Sequence, residues 1–321
     1  MRPRSLRVFD LHPTSADFEV EIVAGLEKQQ KELPCKYFYD AEGAALFEAI
    51  CATSEYYLTR TELQILRDHL PRVAALVGTR AIVIEPGSGS GLKTRMLLEA
   101  LESPAAYVPV DLSRAQLLAT AAETAAAFPD LEVVPVCADY TQPFPLPEPT
   151  SSSGKRVLFY PGSTIGNFDR AEAETFLHRL AERLGQGSIL LLGVDLKKDP
   201  EVLHAAYNDA AGITARFNKN LLARVAHTLN ADIALDAFAH YAFYNPGPGR
   251  IEMHLVSLRD QTLRIAGREF VFATGESIWT ESSYKYTAAE IREMASRAGL
   301  QVTVELTDDA SRFLVAALEV R

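Results

Sequence analysis

The sequence predicts an α/β fold, a doubly wound sheet with a second domain built onto it, and three observations point there. Strand-like apolar runs alternate with helical patterns from about residue 61 to residue 196. The first run, AIVIEPGSGSG at 81–91, ends in Glu85 and a glycine-rich turn, and the next, YVPVD, closes on Asp111. After Asp195 the periodicity becomes hairpin-like before a helix and two last strands return.

Each element follows from its pattern. TRTELQILRDHLPRVAALV reads as a helix, AIVIE as the first strand, LKTRMLLEAL as a helix and YVPVD as the second strand. SRAQLLATAAETAAAF is a helix with Ser113 near its start, LEVVPVCAD the third strand, KRVLFY the fourth, AEAETFLHRLAERL a helix and SILLLGVDL the fifth strand. TQPFPLPEPTSSSG is a Pro/Ser connection. PEVLHAAYNDAAGITARFNKNLLARVAHTL reads as helical, and HYAFYNPGPGRIEMHLVSLRDQTLRIAGREFVFA alternates around NPGPG and AGR. TAAEIREMASRAGL is a helix, and QVTVEL with FLVAALEV completes a seven-stranded sheet. The first sixty residues fit neither wound unit. Residues 61–196 plus 286–321 are therefore expected to form the wound domain, and 1–60 plus 197–285 a second, α+β domain that covers the substrate.

The glycine turn predicts a nucleoside site. A buried parallel strand explains the apolar run, and Gly87, Gly89 and Gly91 let the backbone turn tightly and approach a ligand that side chains would exclude. A dinucleotide fingerprint spaces its glycines G-x-G-x-x-G; here the third comes one residue early and the carboxylate of Glu85 precedes the turn, which suits a nucleoside without a pyrophosphate, S-adenosylmethionine. Asp111 falls where a ribose diol would lie, and Asp139-Tyr140 follows the third strand. A merely structural turn is the bland alternative.

Composition narrows the function. The 321 residues are 48% hydrophobic and 23% charged, enough for two domains, and the formal net charge of −10 opposes nucleic acid. MRPRSLRVFDLHP is basic but lacks the apolar stretch of a signal peptide, and no run of about eighteen apolar residues occurs, so the protein is expected in the cytoplasm, off the membrane. Cys35, Cys51 and Cys137 show neither a disulfide framework nor zinc spacing; buried thiols and no metal are expected.

In a doubly wound sheet the loops after the strands line one crevice. The fourth reads YPGSTIGNF, where main chain at Gly162 and small polar side chains up to Asn167 can meet cofactor and acceptor. No Asp-Pro-Pro-Tyr motif for amide or adenine nitrogens and no Pro-Cys nucleophile for cytosine is present, which again disfavours base methylation. Methyl transfer from a sulfonium is mainly orientation and control of protonation, so a site rich in anchors and without an assigned acid or base is expected. Candidate anchors are Tyr37, Phe38, Tyr39, Phe47, Tyr56 and Tyr57, then Tyr207, then Glu281 and Ser283 of TESSYKY. Each has a plainer reading: aromatic packing, Asn167 as a cap for the helix near Asp169, Glu281 as a solvated hairpin charge, Met253 as strand core.

Eight segments carry a resemblance. FYDAEGAALFEAI, SEYYLTRTELQIL, EPGSGSGLKT, YVPVDLS, FYPGSTIGNF, YNDAAGITARFNKNLL, FYNPGPGRIEMHL and TESSYKYT, in this order over nearly the whole chain, resemble the histidine Nα-methyltransferases of ergothioneine biosynthesis. One departure is Leu306 before Thr307-Asp308, where members often carry tryptophan; packing, not chemistry, is expected to change.

The resemblance implies a class I S-adenosylmethionine-dependent methyltransferase that methylates the α-amino group of L-histidine three times, giving hercynine. It assigns the substrate carboxylate to Asn167 and Tyr207, and the imidazole to Tyr56, Glu281 and Ser283. A carboxylate that accepts the ring N–H distinguishes imidazole from indole or phenyl. Tyr39 and Phe47 would face the amine, which becomes a permanent cation, with Gly162 near the same nitrogen and Thr214 and Met253 beside the substrate. On the cofactor side it implies Gly87, Ser88, Lys93, Asp111 on the ribose hydroxyls, Asp139 on the adenine amine, and Tyr140. Two other readings stay open: a relative that methylates another aromatic amino acid, such as tryptophan or tyrosine, and a non-catalytic S-adenosylmethionine-binding protein. Nothing demands more than a monomer.

Overall fold

The structure, a computed structural model, describes residues 6–11, 15–89, 91–144, 146–150 and 154–321. They divide into two compact units: one from residues within 1–13, 58–197 and 286–321, the other from residues within 14–57 and 198–285.

The first unit is built on one large sheet. In spatial order its strands are Phe9–Asp10, Val136–Cys137, Ala106–Asp111, Ile82–Pro86, Arg156–Tyr160, Ile189–Asp195, Phe313–Val320 and Leu300–Thr307, with Glu132–Val133 also on Ala106–Asp111. Pairing is parallel as far as Ile189–Asp195; Phe313–Val320 runs antiparallel to both neighbours. Ile82–Pro86 and Ile189–Asp195 are buried along their whole length, as strands covered on both faces must be, which is why they read as unbroken apolar runs. The order reverses at Ile82–Pro86, flanked by the strand that follows it and by the later Arg156–Tyr160. A ligand crevice opens at such a switch point, beyond the strand ends. Helices Leu58–Val77, Leu92–Ala100, Arg114–Ala127, Arg170–Leu184 and Ala288–Arg297 belong to this unit. Asp169 and Thr287 start the last two with full capping boxes.

Two expectations change here. The third strand is in two short pieces, 132–133 and 136–137, on either side of Pro135, which has no N–H for a ladder. Phe9–Asp10 extends the large sheet, with Phe9 N–H donating to Pro135 O at 2.9 Å and Leu11 N–H to Cys137 O at 3.0 Å. The first described residues thus lie in the wound unit and not with the rest of the N-terminal sixty. Residues 145 and 151–153 of the Pro/Ser connection fall outside the described residues. Leu306 is buried in its strand, at 4% exposure.

The second unit holds a sheet ordered Lys31–Glu32, Ser277–Tyr284, Arg250–Ser257, Phe238–Asn245, and a separate hairpin, Gln261–Ile265 with Arg268–Phe272. The hairpin turns through Ala266 and Gly267, both at positive φ, as a two-residue turn requires. Helices Ser15–Leu26, Ala41–Cys51, Pro200–Tyr207 and Ile213–Thr228 complete it. The long helix expected over 200–229 is therefore two. Gly212 takes φ 66°, and the Asp209 carboxylate accepts the N–H groups of Ile213 and Thr214, each at 2.7 Å, so the chain breaks and restarts at a new N-terminus. Of the three cysteines only Cys137 is fully buried; Cys35 and Cys51 are half-buried, and none forms a disulfide. No helix among the described residues is long and apolar enough to cross a membrane.

Helix Ala41–Cys51 packs against helix Ile213–Thr228, and its first turn lies so close to the preceding chain that a Cβ on Gly43 would sit 1.7 Å from the carbonyl oxygen of Phe38. Backbone cannot yield as a flexible side chain can. Gly43→Ala is expected to lower stability by about 2 kcal/mol or more, read from urea unfolding midpoints; an unchanged midpoint would contradict this packing.

Candidate active site

In the first unit the strand ends converge on the glycine turn. Gly87, Gly89 and Gly91 have φ of 73°, 47° and 67°, so all three need the left-handed region. Gly87 N–H donates to Val110 O at 2.7 Å, and the Thr120 hydroxyl to Gly89 O at 3.0 Å, which fixes the turn against the neighbouring strand and helix. Ser88 is 4% exposed and its hydroxyl has no hydrogen-bond partner among the described residues. A buried hydroxyl without a partner in the glycine turn fits a polar ligand there. Asp111 accepts Ser113 N–H at 2.9 Å, and burial raises its carboxyl above the ordinary range although nearby backbone N–H groups, Gly89 among them, oppose this. Asp139 accepts both the N–H and the hydroxyl of Thr141, at 2.9 and 2.6 Å, and the Tyr140 ring meets the Tyr160 ring edge-on at 6.1 Å. These residues fit S-adenosylmethionine in type and position.

Glu85 has a different setting. It is 2% exposed and accepts the Tyr107 hydroxyl at 2.5 Å; burial pushes its carboxyl up to about 7, against the pull of its hydrogen bonds. The residue supports the turn from below.

The fourth loop is held by a residue the sequence reading missed. Glu62, 1% exposed on helix Leu58–Val77, pairs with the Lys93 ammonium and accepts Gly162 N–H on both oxygens at 3.0 and 2.9 Å. A Cβ on Gly193 would lie 2.1 Å from Glu62 Oε1, so a side chain in the strand behind it would push the carboxylate off its partners. Gly162 and Ser163 both have positive φ, and the Ser163 hydroxyl accepts Asp195 N–H at 2.9 Å, which fixes a conformation that serine alone disfavours. The short 3₁₀ helix Thr164–Asn167 follows. Asn167 is not the cap of the next helix: Asp169 is, accepting Glu172 N–H at 2.7 Å.

In the second unit, rings and polar groups gather separately. Tyr39 and Phe47 lie 5.6 Å apart, Phe47 and Tyr56 6.2 Å, Tyr56 and Tyr207 6.2 Å, and Phe217, which sequence reasoning did not single out, lies 5.9 Å from Tyr39 and 6.1 Å from Phe47. Burial holds the Tyr56 phenol well above its ordinary range, so it stays protonated.

A β-bulge places the acidic group. The register passes from Met253 opposite Glu281 to His254 opposite Trp279, leaving Thr280 extra. The Thr280 hydroxyl donates to Asn218 of helix Ile213–Thr228, and after the bulge Glu281, Ser283 and Lys285 alternate onto that same side. Although part of Glu281 reaches solvent, burial of its carboxyl pushes it up to about 7, with the Lys285 charge pulling the other way. Tyr207 donates to Ser283 Oγ at 2.8 Å, and Lys285, fully buried, donates to Tyr207 at 3.1 Å and to Ser283 at 2.9 Å. Met253 is buried opposite Glu281, and Thr214 is buried with its N–H on Asp209.

Behind Tyr207 lies a second network. Asn218 Nδ2 donates to His240 Nδ1 at 2.9 Å, and the remaining ring nitrogen of His240 faces Tyr207 O at 3.0 Å. With Nδ1 accepting, Nε2 carries the proton. Lys285 could have been found from the strand alternation in TESSYKY; Glu62 and His240 had no local signal.

A family model described as histidine-specific methyltransferase, SAM-dependent, matches residues 18–320. Histidine N-alpha-methyltransferase of Mycolicibacterium smegmatis is 42% identical over 299 residues, covering 91% of this chain and 92% of that protein. Its namesake from Mycobacterium tuberculosis is 38% identical over 298 residues, with the same shares. Among solved structures, a possible exported protein of Bordetella parapertussis aligns with a TM-score of 0.51 over 94% of this chain and 87% of that one, at 12% identity, a likeness of fold alone.

Glu62→Gln removes the charge that answers Lys93 and is expected to cost about 2 kcal/mol of stability and to weaken S-adenosylmethionine binding roughly tenfold by loosening the Gly162 loop. Calorimetric unfolding and titration check both. Burial depresses the His240 pKa, its bond to Tyr207 O opposing this, so the unfolded chain binds the proton better. That contribution to stability is full above the ordinary histidine pKa of about 6.5 and is lost as pH falls below it. His240→Gln should therefore destabilise strongly at about pH 7.5 and much less at about pH 5.5; urea midpoints at both pH values, differing by equal amounts, would remove His240 from the network.

Proposed function

The chain belongs to the SAM-dependent, histidine-specific methyltransferase family, and from that premise we propose that it methylates the α-amino nitrogen of L-histidine three times, giving hercynine for ergothioneine biosynthesis. The observation that carries the reading is the buried acceptor Glu281 beside the hydroxyl of Ser283 on one strand face. An imidazole offers a ring N–H to the one and a bare nitrogen to the other; phenyl and indole do not.

S-adenosylmethionine, when bound, supplies the electrophilic methyl group. The residues proposed to hold it are those of the glycine turn, Gly87, Ser88 and Gly89, with Asp111 for the ribose diol, Asp139 and Tyr140 for the adenine, and Glu85 and Lys93 as supports. For the amino acid, Tyr56, Glu281 and Ser283 take the ring, Tyr207 and Asn167 the carboxylate, and Gly162, Thr214 and Met253 shape the surroundings. Tyr39 and Phe47 present ring faces to the amine, worth about 0.5–2 kcal/mol once it is a cation. None of these side chains need remove a proton in the transfer step, because the nucleophile is the amine lone pair and orientation dominates the rate. In this reading the unit formed by 14–57 and 198–285 is a substrate-binding domain and the unit with the wound sheet a methyltransferase domain. The same reading makes the protein a cytoplasmic monomer acting on a free amino acid, and its net charge of −10 supports leaving nucleic acid out.

Incubation with S-adenosylmethionine and the twenty amino acids, followed by mass spectrometry, should give histidine alone with three hydrogens replaced by methyl groups. Glu281→Ala should lose roughly ten- to a hundredfold in kcat/KM for histidine and accept other aromatic amino acids. Modification of tryptophan or tyrosine by the unaltered protein would replace the substrate; bound cofactor without any product would leave a binding protein.

A further inference from the structure

Lys285 is a lysine with no exposed surface, and it donates to two hydroxyls of the second unit already proposed to meet the substrate. An ammonium has three donors and no acceptor, so it fills one lone pair on Tyr207 and one on Ser283. The Tyr207 hydroxyl donates to Ser283 Oγ and fills the second lone pair there. Both lone pairs of Ser283 are then occupied from one side. Its own proton has to point the other way, toward an acceptor. Without the ammonium, the Ser283 hydroxyl could turn and donate back to Tyr207, and its direction would no longer be set.

We infer that Lys285 is a positioning residue for substrate selection: its buried ammonium orients the Tyr207 and Ser283 hydroxyls so that Ser283 presents a proton to the acceptor nitrogen of the substrate ring. This rests on the reading of the site as a histidine site. Glu281 then accepts from one ring nitrogen and Ser283 donates to the other, so the pair recognises the neutral imidazole by both of its nitrogens. Lys285 acts on the ring end through Ser283 and on the carboxylate end through Tyr207.

The test compares histidine with the two β-(pyrrolyl)alanines, which keep a ring N–H but carry carbon in place of the acceptor nitrogen. The wild type should prefer histidine by about a hundredfold in kcat/KM, and Lys285→Met should reduce that ratio about tenfold or more, chiefly through KM for histidine, with KM for S-adenosylmethionine unchanged. In a Ser283→Ala background Lys285→Met should change the ratio no further. If the methionine variant does not bind S-adenosylmethionine, Lys285→Gln is measured by the same criteria. A wild-type ratio in the variant, an equal loss for all three substrates, or additivity with Ser283→Ala would overturn the inference. Absence of any histidine turnover by the wild type would instead remove the reading on which it stands.

Discussion

A carboxylate taken out of water has to be answered by donors, and in the wound unit that requirement falls on Glu62. Its two oxygens face the Lys93 ammonium and the Gly162 N–H, so one buried charge joins helix Leu58–Val77, the helix that follows the glycine turn and the loop after the fourth strand. These are the segments proposed to meet the nucleoside and the incoming amine. The absence of a side chain at Gly193 is part of the same arrangement, since a Cβ there would occupy the position of Glu62 Oε1. The positive φ of Gly162 and Ser163 follows as well: the loop turns sharply to bring one amide onto a carboxylate, and Ser163 is kept in place by Asp195 N–H. Loop geometry near the site is thus imposed from the interior.

The second unit solves a comparable problem by bending a strand. Without the extra residue at Thr280, Glu281 would face away from Thr280 and from helix Ile213–Thr228. With it, Thr280 bonds to that helix while Glu281, Ser283 and Lys285 share its side. The break at Asn208–Gly212 does complementary work. It ends one helix at Tyr207 and starts another, and Asn218 in the second, through His240, holds the Tyr207 carbonyl. The two irregularities, one in a strand and one between helices, place Tyr207 beside Ser283.

The regular parts of this arrangement were legible in the sequence and the irregular parts were not. Continuous apolar runs such as IVIE and ILLLGVD can only be buried strands at that length, and alternate glycines after Glu85 state their own backbone requirement. The eight segments that resemble a known family suggested the roles proposed for Asn167, Tyr207 and Glu281, which periodicity alone could not give. The helix break was hidden because YNDAAGIT is compatible with helix except at Gly212, and propensity does not register that Asp209 can restart the chain by capping. The bulge was hidden because one extra residue leaves composition unchanged. Glu62 was unreadable for a third reason: in TRTELQIL it looks like any helical glutamate, and its partners lie 31 and 100 residues away.

Three methylations of one nitrogen impose a further condition on the proposed site. The amine grows with each turn and ends as a cation without a lone pair, so contacts at that end cannot identify the substrate at every stage. Rings can serve there, because the face of Tyr39 or Phe47 attracts a methylated ammonium whatever its degree of substitution, and the linked rings of Phe217, Tyr56 and Tyr207 extend the same surface. Identity then has to be read at the other end of the molecule, from atoms that no methyl transfer alters. Under the proposed reading Glu281 and Ser283 serve that end, with Lys285 behind Ser283, and what they recognise is the same for histidine and for its partly methylated forms. In that reading the division lets recognition stay constant while the reacting group changes, with Glu281 and Ser283 on the bulged strand and the rings coming mainly from Tyr39, Phe47, Tyr56 and the helices.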